Sequence, residues 1–184
     1  VKGSPNENFA REIMELFTLG VGHYSEHDIR EAARAFTGWN YKDLTFVVNK
    51  ADQDTGEKTV LGRKGPLSGI DVVDILLEAP AADFIAAKIY RYFVRDDPSP
   101  ELIAKLGKVL RDNKYEIAPL LQTIFLSRDF YAPQSVGSHI KSPVELTVST
   151  YRKFGLPRIP GVPAFHTSPH TLRQPLFNPP TVPG

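Results

Sequence analysis

The sequence predicts a mainly α-helical chain: a multi-helix, bundle-like domain with a small β-hairpin insertion and an ordered, Pro-rich C-terminal wrap. Three observations carry this. Helix-start chemistry recurs, as Ser-Pro at 4–5, 99–100, 142–143 and 168–169 and as Ser25 ahead of Asp28. Between these starts, apolar residues return at three- and four-residue intervals. Only from Trp39 to Leu61 does the pattern change to β-prone segments around turn residues.

Each element follows in order. Ser4-Pro5-Asn6-Glu7 has the form of a capping box with Pro at the first helical position. Phe9, Ile13, Leu16 and Phe17 follow at helical spacing as an apolar stripe, and Gly20 stops the helix. Ser25 caps a second helix, with Asp28 at its third position. Ile29, Ala32, Ala33 and Phe36 form its apolar face, small enough for close approach, and Gly38 ends it. The short link from Gly20 to Tyr24 makes the two helices neighbours. Leu44 to Val48 and Thr59 to Leu61 read as the strands of one hairpin across a turn at Asp52 to Gly56. An isolated hairpin is marginal in water, so it should pack on the helices.

Helical signals then resume. Ile70 to Glu78 ends before Pro80, and Ala81 to Arg95 carries Ile85, Ile89, Tyr92 and Phe93 on one face. Ser99-Pro100-Glu101 opens a helix to about Asn113. Glu116 to Leu126 holds Pro119 in its first turn, where it is tolerated. Ser142-Pro143-Val144-Glu145 leads to Phe154, and a last short helix runs from Ser168-Pro169 to near Gln174. Eight prolines fall from Pro157 to Pro183, with Leu172, Leu176 and Phe177 as expected anchors of the wrap. The expected division is a helical domain over 1–155, its hairpin at about 40–62, and a packed extension over 156–184.

Charge and composition narrow the function. With 22 basic and 21 acidic side chains, the net charge of +1 argues against a general nucleic-acid binder. The chain has no cysteine, which excludes thiol catalysis, disulfides and Cys-ligated zinc. No apolar run approaches the roughly 18 residues of a membrane span. No G-x-S-x-G elbow is present, and Gly62-Arg63-Lys64-Gly65 lacks P-loop spacing.

Several residues nonetheless stand out as candidates. Glu12 lies on the rim of the first apolar stripe, and Glu15 leans to the same side. They read either as a catalytic or metal-binding carboxylate pair, or as a structural tie in which Glu12 meets an Arg or backbone amides and Glu15 meets Arg11. Arg30 and Arg34, one turn apart, could answer them across the helix pair or form surface salt bridges. Lys88, Arg91 and Arg95 form a basic stripe beside Phe84. With Arg34 they are the candidate ligand-binding cations for a phosphate, sulfate or carboxylate, and they could equally meet the acidic helix internally. Asp52-Gln53-Asp54-Thr55-Gly56 has the form of a calcium-loop start, but Arg63 stands where an EF-hand needs Glu, and Asp and Gly suit an ordinary turn. His23 and His27 straddle a helix start, as do His166 and His170, so neither pair makes the H-E-x-x-H geometry. Trp39 reads as a core plug over the hairpin or as a ligand platform. No metal ligands and no cofactor are assigned.

The run Asn6 to Trp39 resembles the signature of a large bacterial family, domain of unknown function 1800. The likeness continues through Asp54-Thr55-Gly56-Glu57-Lys58-Thr59-Val60-Leu61-Gly62, then Ala87-Lys88-Ile89 with Phe93-Val94. It extends to Lys141-Ser142-Pro143-Val144-Glu145 and to Gln174-Pro175-Leu176-Phe177 with Pro179-Pro180. Gln53 stands where the resemblance would put His, which weakens any metal role for that loop. The resemblance implies a C-terminal piece of a longer protein, an export signal upstream, and a periplasmic or extracellular location. It also implies a sulfatase-like companion protein as partner, and it specifies no reaction. The function expected is an interaction or scaffold domain of an exported protein. The alternatives are a hydrolase or metal-dependent enzyme whose cleft an N-terminal region completes, and an anion or glycan binder.

Overall fold

A computed structural model describes residues 2–78, 80–155, 169 and 171–172. The chain forms two compact units, Val1–Val136 and Gly137–Gly184. The first unit opens with α1, Glu7–Glu12, which runs directly into a π-helical turn, Ile13–Thr18. Asn6 caps α1, its Oδ1 accepting the Phe9 amide at 3.0 Å. The helix therefore starts two residues later than Ser4-Pro5 suggests, because Asn is as good a cap as Ser and sits next to the first helical residue. Gly20 ends the turn at φ +82°, and a Cβ there would come within 2.9 Å of the Phe84 ring.

The π turn decides which face of this helix enters the core. Its bonds span five residues, as in Leu19 N–H to the Met14 carbonyl at 2.7 Å. In a regular helix, five steps of about 100° would leave Leu19 about 140° from Met14. The wider turn brings Leu19 back into line. The buried row is therefore Ala10, Met14 and Leu19, all at most 3% exposed. The stripe predicted to face inward turns outward instead: Phe9 is 40%, Leu16 46% and Phe17 64% exposed. Of that stripe, Ile13 packs on the core and Phe9 meets the Phe36 ring edge to face.

Helix α2, Glu26–Ala35, carries the expected capping box between Ser25 and Asp28 and buries Ile29, Ala32 and Ala33. Two hairpins follow rather than one. β1, Trp39–Lys42, pairs antiparallel with β2, Thr45–Val48, in the register Trp39↔Val48 and Tyr41↔Phe46. β3, Lys58–Val60, pairs with β4, Arg63–Gly65. The segments predicted to pair with each other thus each pair locally. Two-residue turns at Asp43-Leu44 and Leu61-Gly62 close them, all four residues at positive φ, the geometry that matches strand twist. A Leu in that conformation is unusual, so neither Asp-Leu nor Leu-Gly reads as a hairpin turn beforehand.

Four more helices complete the unit: α3 Gly69–Glu78, α4 Ala81–Phe93, α5 Pro100–Asp112 and α6 Ile117–Phe125. They build two cores. The first joins α1, the π turn, α2 and α3 around Met14, Ile29, Val60 and Leu76. The second joins α4, α5 and α6 around Tyr90, Leu106, Leu110 and Leu120. In the second unit, α7 spans Pro143–Lys153, with a Ser142–Glu145 capping box and Pro143 at its start. The helix expected from Ser168 to Gln174 and the Pro-rich wrap lie outside the described residues, except for Pro169, Thr171 and Leu172.

Candidate functional site

The two acidic candidates have different fates. Glu15 accepts a hydrogen bond from the Tyr24 hydroxyl. Burial and this carboxylate push the Tyr24 phenol up. Arg11 does not serve Glu15. It makes a bidentate pair with Glu26 across the two helices, at 3.0 and 2.7 Å, and holds that carboxyl below its usual range. Glu12 is half-buried and has no hydrogen bond or ion pair among the described residues. It does not line the cavity of about 260 Å³ bounded by Asn6, Phe9, Ala33, Phe36, Thr37 and Trp39.

Arg34 sits inside a polar clamp that ties the segment Asp54–Gly62 to α2. Its Nε donates to Asp54 Oδ2 at 2.9 Å, and its Nη1 to Glu31 Oε1 at 2.8 Å and to the Glu57 carbonyl at 3.1 Å. Glu31 in turn accepts the Thr59 amide at 3.0 Å, and Asp28 accepts the Leu61 amide at 2.7 Å. The Thr37 hydroxyl accepts the Asp54 amide at 2.7 Å. Lys58 closes the clamp from beneath. Its side chain is wholly buried, and its ammonium donates to the carbonyls of Asp54 and Gly56 at 2.7 and 2.8 Å. Burial pushes that ammonium down, against the pull of Asp54. The Arg34 guanidinium holds the Asp54 carboxyl below its ordinary value. The turn chemistry of this segment is therefore directed inward: Asp54 Oδ1 accepts the Gly56 amide at 2.8 Å, and Asp52 accepts from Asn49 at 2.7 Å.

The basic candidates on and after α4 reach separate acceptors. Lys88 donates to the Leu16 carbonyl at 3.0 Å, one of the groups the π turn leaves free, and lies 5.2 Å from the Phe84 ring centre. Arg91 donates to the Asp96 carbonyl at 3.3 Å. Arg95 donates to Asp97 Oδ1 at 2.5 Å and lies 3.5 Å from Asp129, whose other oxygen accepts the Tyr90 hydroxyl. Lys88, Arg91, Arg95 and Arg34 share no acceptor. Tyr90 and Asp129 border a cavity of about 190 Å³ whose other walls are largely apolar, including Leu102, Leu106 and Val109. Among the described residues no three His, Asp or Glu side chains group as metal ligands. His23 and His27 are exposed, His139 lies 3.6 Å from Glu145, and His166 and His170 fall outside the described residues.

The sequence marks Phe9, Phe36 and Trp39 but does not join them, and it does not single out Tyr41 or Phe46. Phe9, Phe36, Trp39 and Phe46 form a continuous run of edge-to-face rings with centres 5.0 to 5.2 Å apart. Trp39 is half-buried, wedged against Phe36 and so close to Gly69 that a Cβ there would lie 2.5 Å from its ring. Beyond it the β1–β2 register places Trp39, Tyr41, Phe46 and Val48 on one face of the hairpin. Tyr41 is 75%, Phe46 56% and Leu44 at the turn 97% exposed. The signal was present as alternation in Trp-x-Tyr and Phe-x-Val, but it shows only once those two segments are paired.

This geometry defines a helical domain with an internal polar clamp and an outward aromatic face. The chain belongs to a protein family of unknown function, DUF1800, whose model matches residues 1–184. No curated protein and no solved structure matches it.

Proposed function

We propose that this chain is an interaction domain of an exported protein. The observation that supports the reading is the apolar face of the β1–β2 hairpin. A two-stranded hairpin is marginal in water. This one leaves Tyr41, Leu44, Phe46 and Val48 between 41% and 97% exposed. Clustered exposed rings of this kind mark contact surfaces. Arg34, Lys88, Arg91 and Arg95 are engaged with separate groups of their own chain. A hydrolase reading has weaker support, since Glu12 and Glu15 share no acceptor or donor with Lys88, Arg91 or Arg95.

The first partner to test is the sulfatase-like companion protein that the family resemblance implies. Its binding to this chain would be measured by surface plasmon resonance, against the double variant Tyr41→Ser/Phe46→Ser. Each buried ring contributes about 1.5–3 kcal/mol, so loss of both is expected to weaken binding by roughly 100-fold or more. Unchanged affinity in a variant with native circular dichroism, or no binding by the parent chain, overturns the reading.

A further inference from the structure

A second surface carries a more specific message. The outward stripe of α1 and the π turn presents Phe9, Leu16 and Phe17, with Glu12 set among them. These positions follow i, i+7 and i+8, and the stripe is about 12 Å long at helical rise. It therefore offers a ridge of about two turns, the footprint that an amphipathic helix covers with its own apolar side chains. The stripe exposes no strand edge, so it gives an extended peptide no ladder to join.

Glu12 sets the charge of what can cover it. Its neighbours show how this fold treats carboxylates: Glu15 is bonded to Tyr24, Glu26 to Arg11, Glu31 to Arg34 and Thr59. Glu12 has none of these, though half-buried. A partner laid across Leu16 and Phe17 would remove the remaining water from its carboxylate. Without a cation in the partner, that step would strand a buried charge, which is strongly unfavourable. With an Arg or Lys it would form a charge-assisted pair and fix the register of docking. Lys88, a cation that reaches the same helix, is already bonded to the Leu16 carbonyl and lies over Phe84.

We propose that the Phe9–Phe17 stripe docks an amphipathic helix of another protein, and that this helix carries an Arg or Lys opposite Glu12. The proposal rests on the interaction-domain reading and adds the shape and charge of the partner.

The test uses the full chain and two synthetic amphipathic helical peptides. Both have Leu at i, i+4, i+7 and i+11; one has Arg and the other Glu at the position flanking the Leu row. Binding is followed by fluorescence anisotropy of the labelled peptides. The Arg peptide is expected to bind saturably and at least about tenfold more tightly than the Glu peptide. Glu12→Arg should reverse that preference, Glu12→Gln should abolish it, and Leu16→Ser/Phe17→Ser should remove binding of both peptides. Leu16 and Phe17 are exposed and the half-buried Glu12 side chain makes no bond among the described residues, so native folding of the variants is expected, checked by Trp39 emission. Equal binding of the two peptides, or no reversal by Glu12→Arg, overturns this inference while leaving the interaction reading intact. Absence of binding by both peptides together with no binding of the companion protein overturns both. Sedimentation velocity supplies the last arm: self-association abolished by Phe17→Ser would assign the stripe to a second copy of this chain and overturn the proposal.

Discussion

Replacing Lys58 by Met tests whether the segment Asp54–Gly62 is held by the clamp described above. The side chain of Lys58 is fully enclosed, and its ammonium bonds two carbonyls at 2.7 and 2.8 Å while standing 3.9 Å from Asp54 Oδ1. Met fills nearly the same volume, so cavity costs are small. The carboxylate of Asp54 keeps Arg34 and the Gly56 amide, so no buried charge is stranded. What changes is that the carbonyl oxygens of half-buried Asp54 and exposed Gly56 lose their donor. Water can reach the Gly56 carbonyl, whereas leaving a buried acceptor unsatisfied costs about 1–3 kcal/mol, so the variant should lose about 1–3 kcal/mol. The assay is urea denaturation at neutral pH, followed by emission of the sole tryptophan, Trp39, which packs on the same core. Lys64→Met is the control. Lys64 lies 3.3 Å from Glu57 with both side chains about two-thirds exposed, and such a pair should contribute little. If Lys58→Met is as stable as the parent, or more so, then enclosing the ammonium costs as much as its bonds return, as happens for some buried ion pairs. The clamp would then not be what secures this segment.

Other outcomes follow from the same geometry. Gly69→Ala should cost about 1–3 kcal/mol by overpacking, because the new Cβ would meet Trp39 at 2.5 Å and Phe36 at 2.7 Å; a shift in Trp39 emission should accompany the loss. The Glu31 and Asp54 carboxyls are held below their ordinary values of 4.5 and 3.8, Glu31 because the Arg34 guanidinium and Thr59 amide outweigh burial, Asp54 mainly by Arg34. Their contribution to stability is therefore full above those values and lost as pH falls through the lowered native ones, so the urea midpoint should drop on acidification and drop less steeply in Glu31→Gln. Burial and Asp129 push the Tyr90 phenol up to about 12, so its contribution is full below pH 10 and lost as pH rises through about 12. Tyrosinate absorbance should accordingly lose its highest-pH step in Tyr90→Phe, and an unchanged titration would contradict the Tyr90–Asp129 bond. Ser25→Ala should cost about 1 kcal/mol as a lost cap, and Asp28→Ala measurably more, since Asp28 also holds the Leu61 amide; equal losses would dissociate cap from clamp.

The helices were legible because their starts and stops are local chemistry. Ser25 with Asp28, Ser142 with Glu145, and Ser99 before Pro100 each satisfy amides within three residues of themselves, so the signal survives without tertiary context. Two of the four strands, Thr45–Val48 and Lys58–Val60, were legible as β but not with their partners, Trp39–Lys42 and Arg63–Gly65. Thr45 to Val48 pairs with Trp39 to Lys42 through a turn that forces Leu44 into a positive φ, a conformation its side chain does not advertise. For the candidate site, residue types were legible and contacts were not. Arg34 meets Asp54, twenty residues on, and Lys88 meets the Leu16 carbonyl, seventy-two residues back. No periodicity encodes such pairs, because they are fixed by how α2 receives the second hairpin and how α4 lies on the π turn.

The sequence by itself determined the family, the mainly helical class, the caps that begin α2, α5 and α7, and the absence of thiol chemistry. All of these depend on the identity of residues within a few positions of one another. Tertiary structure decided the facing of the first helix, the closing of two hairpins in place of one, and the inward use of Arg34 and Lys58. The reason is that one widened turn rotates every later side chain of a helix relative to the core. Ala10, Met14 and Leu19 went inside, and the larger apolar residues that a regular helix would have hidden were left at the surface with Glu12 among them.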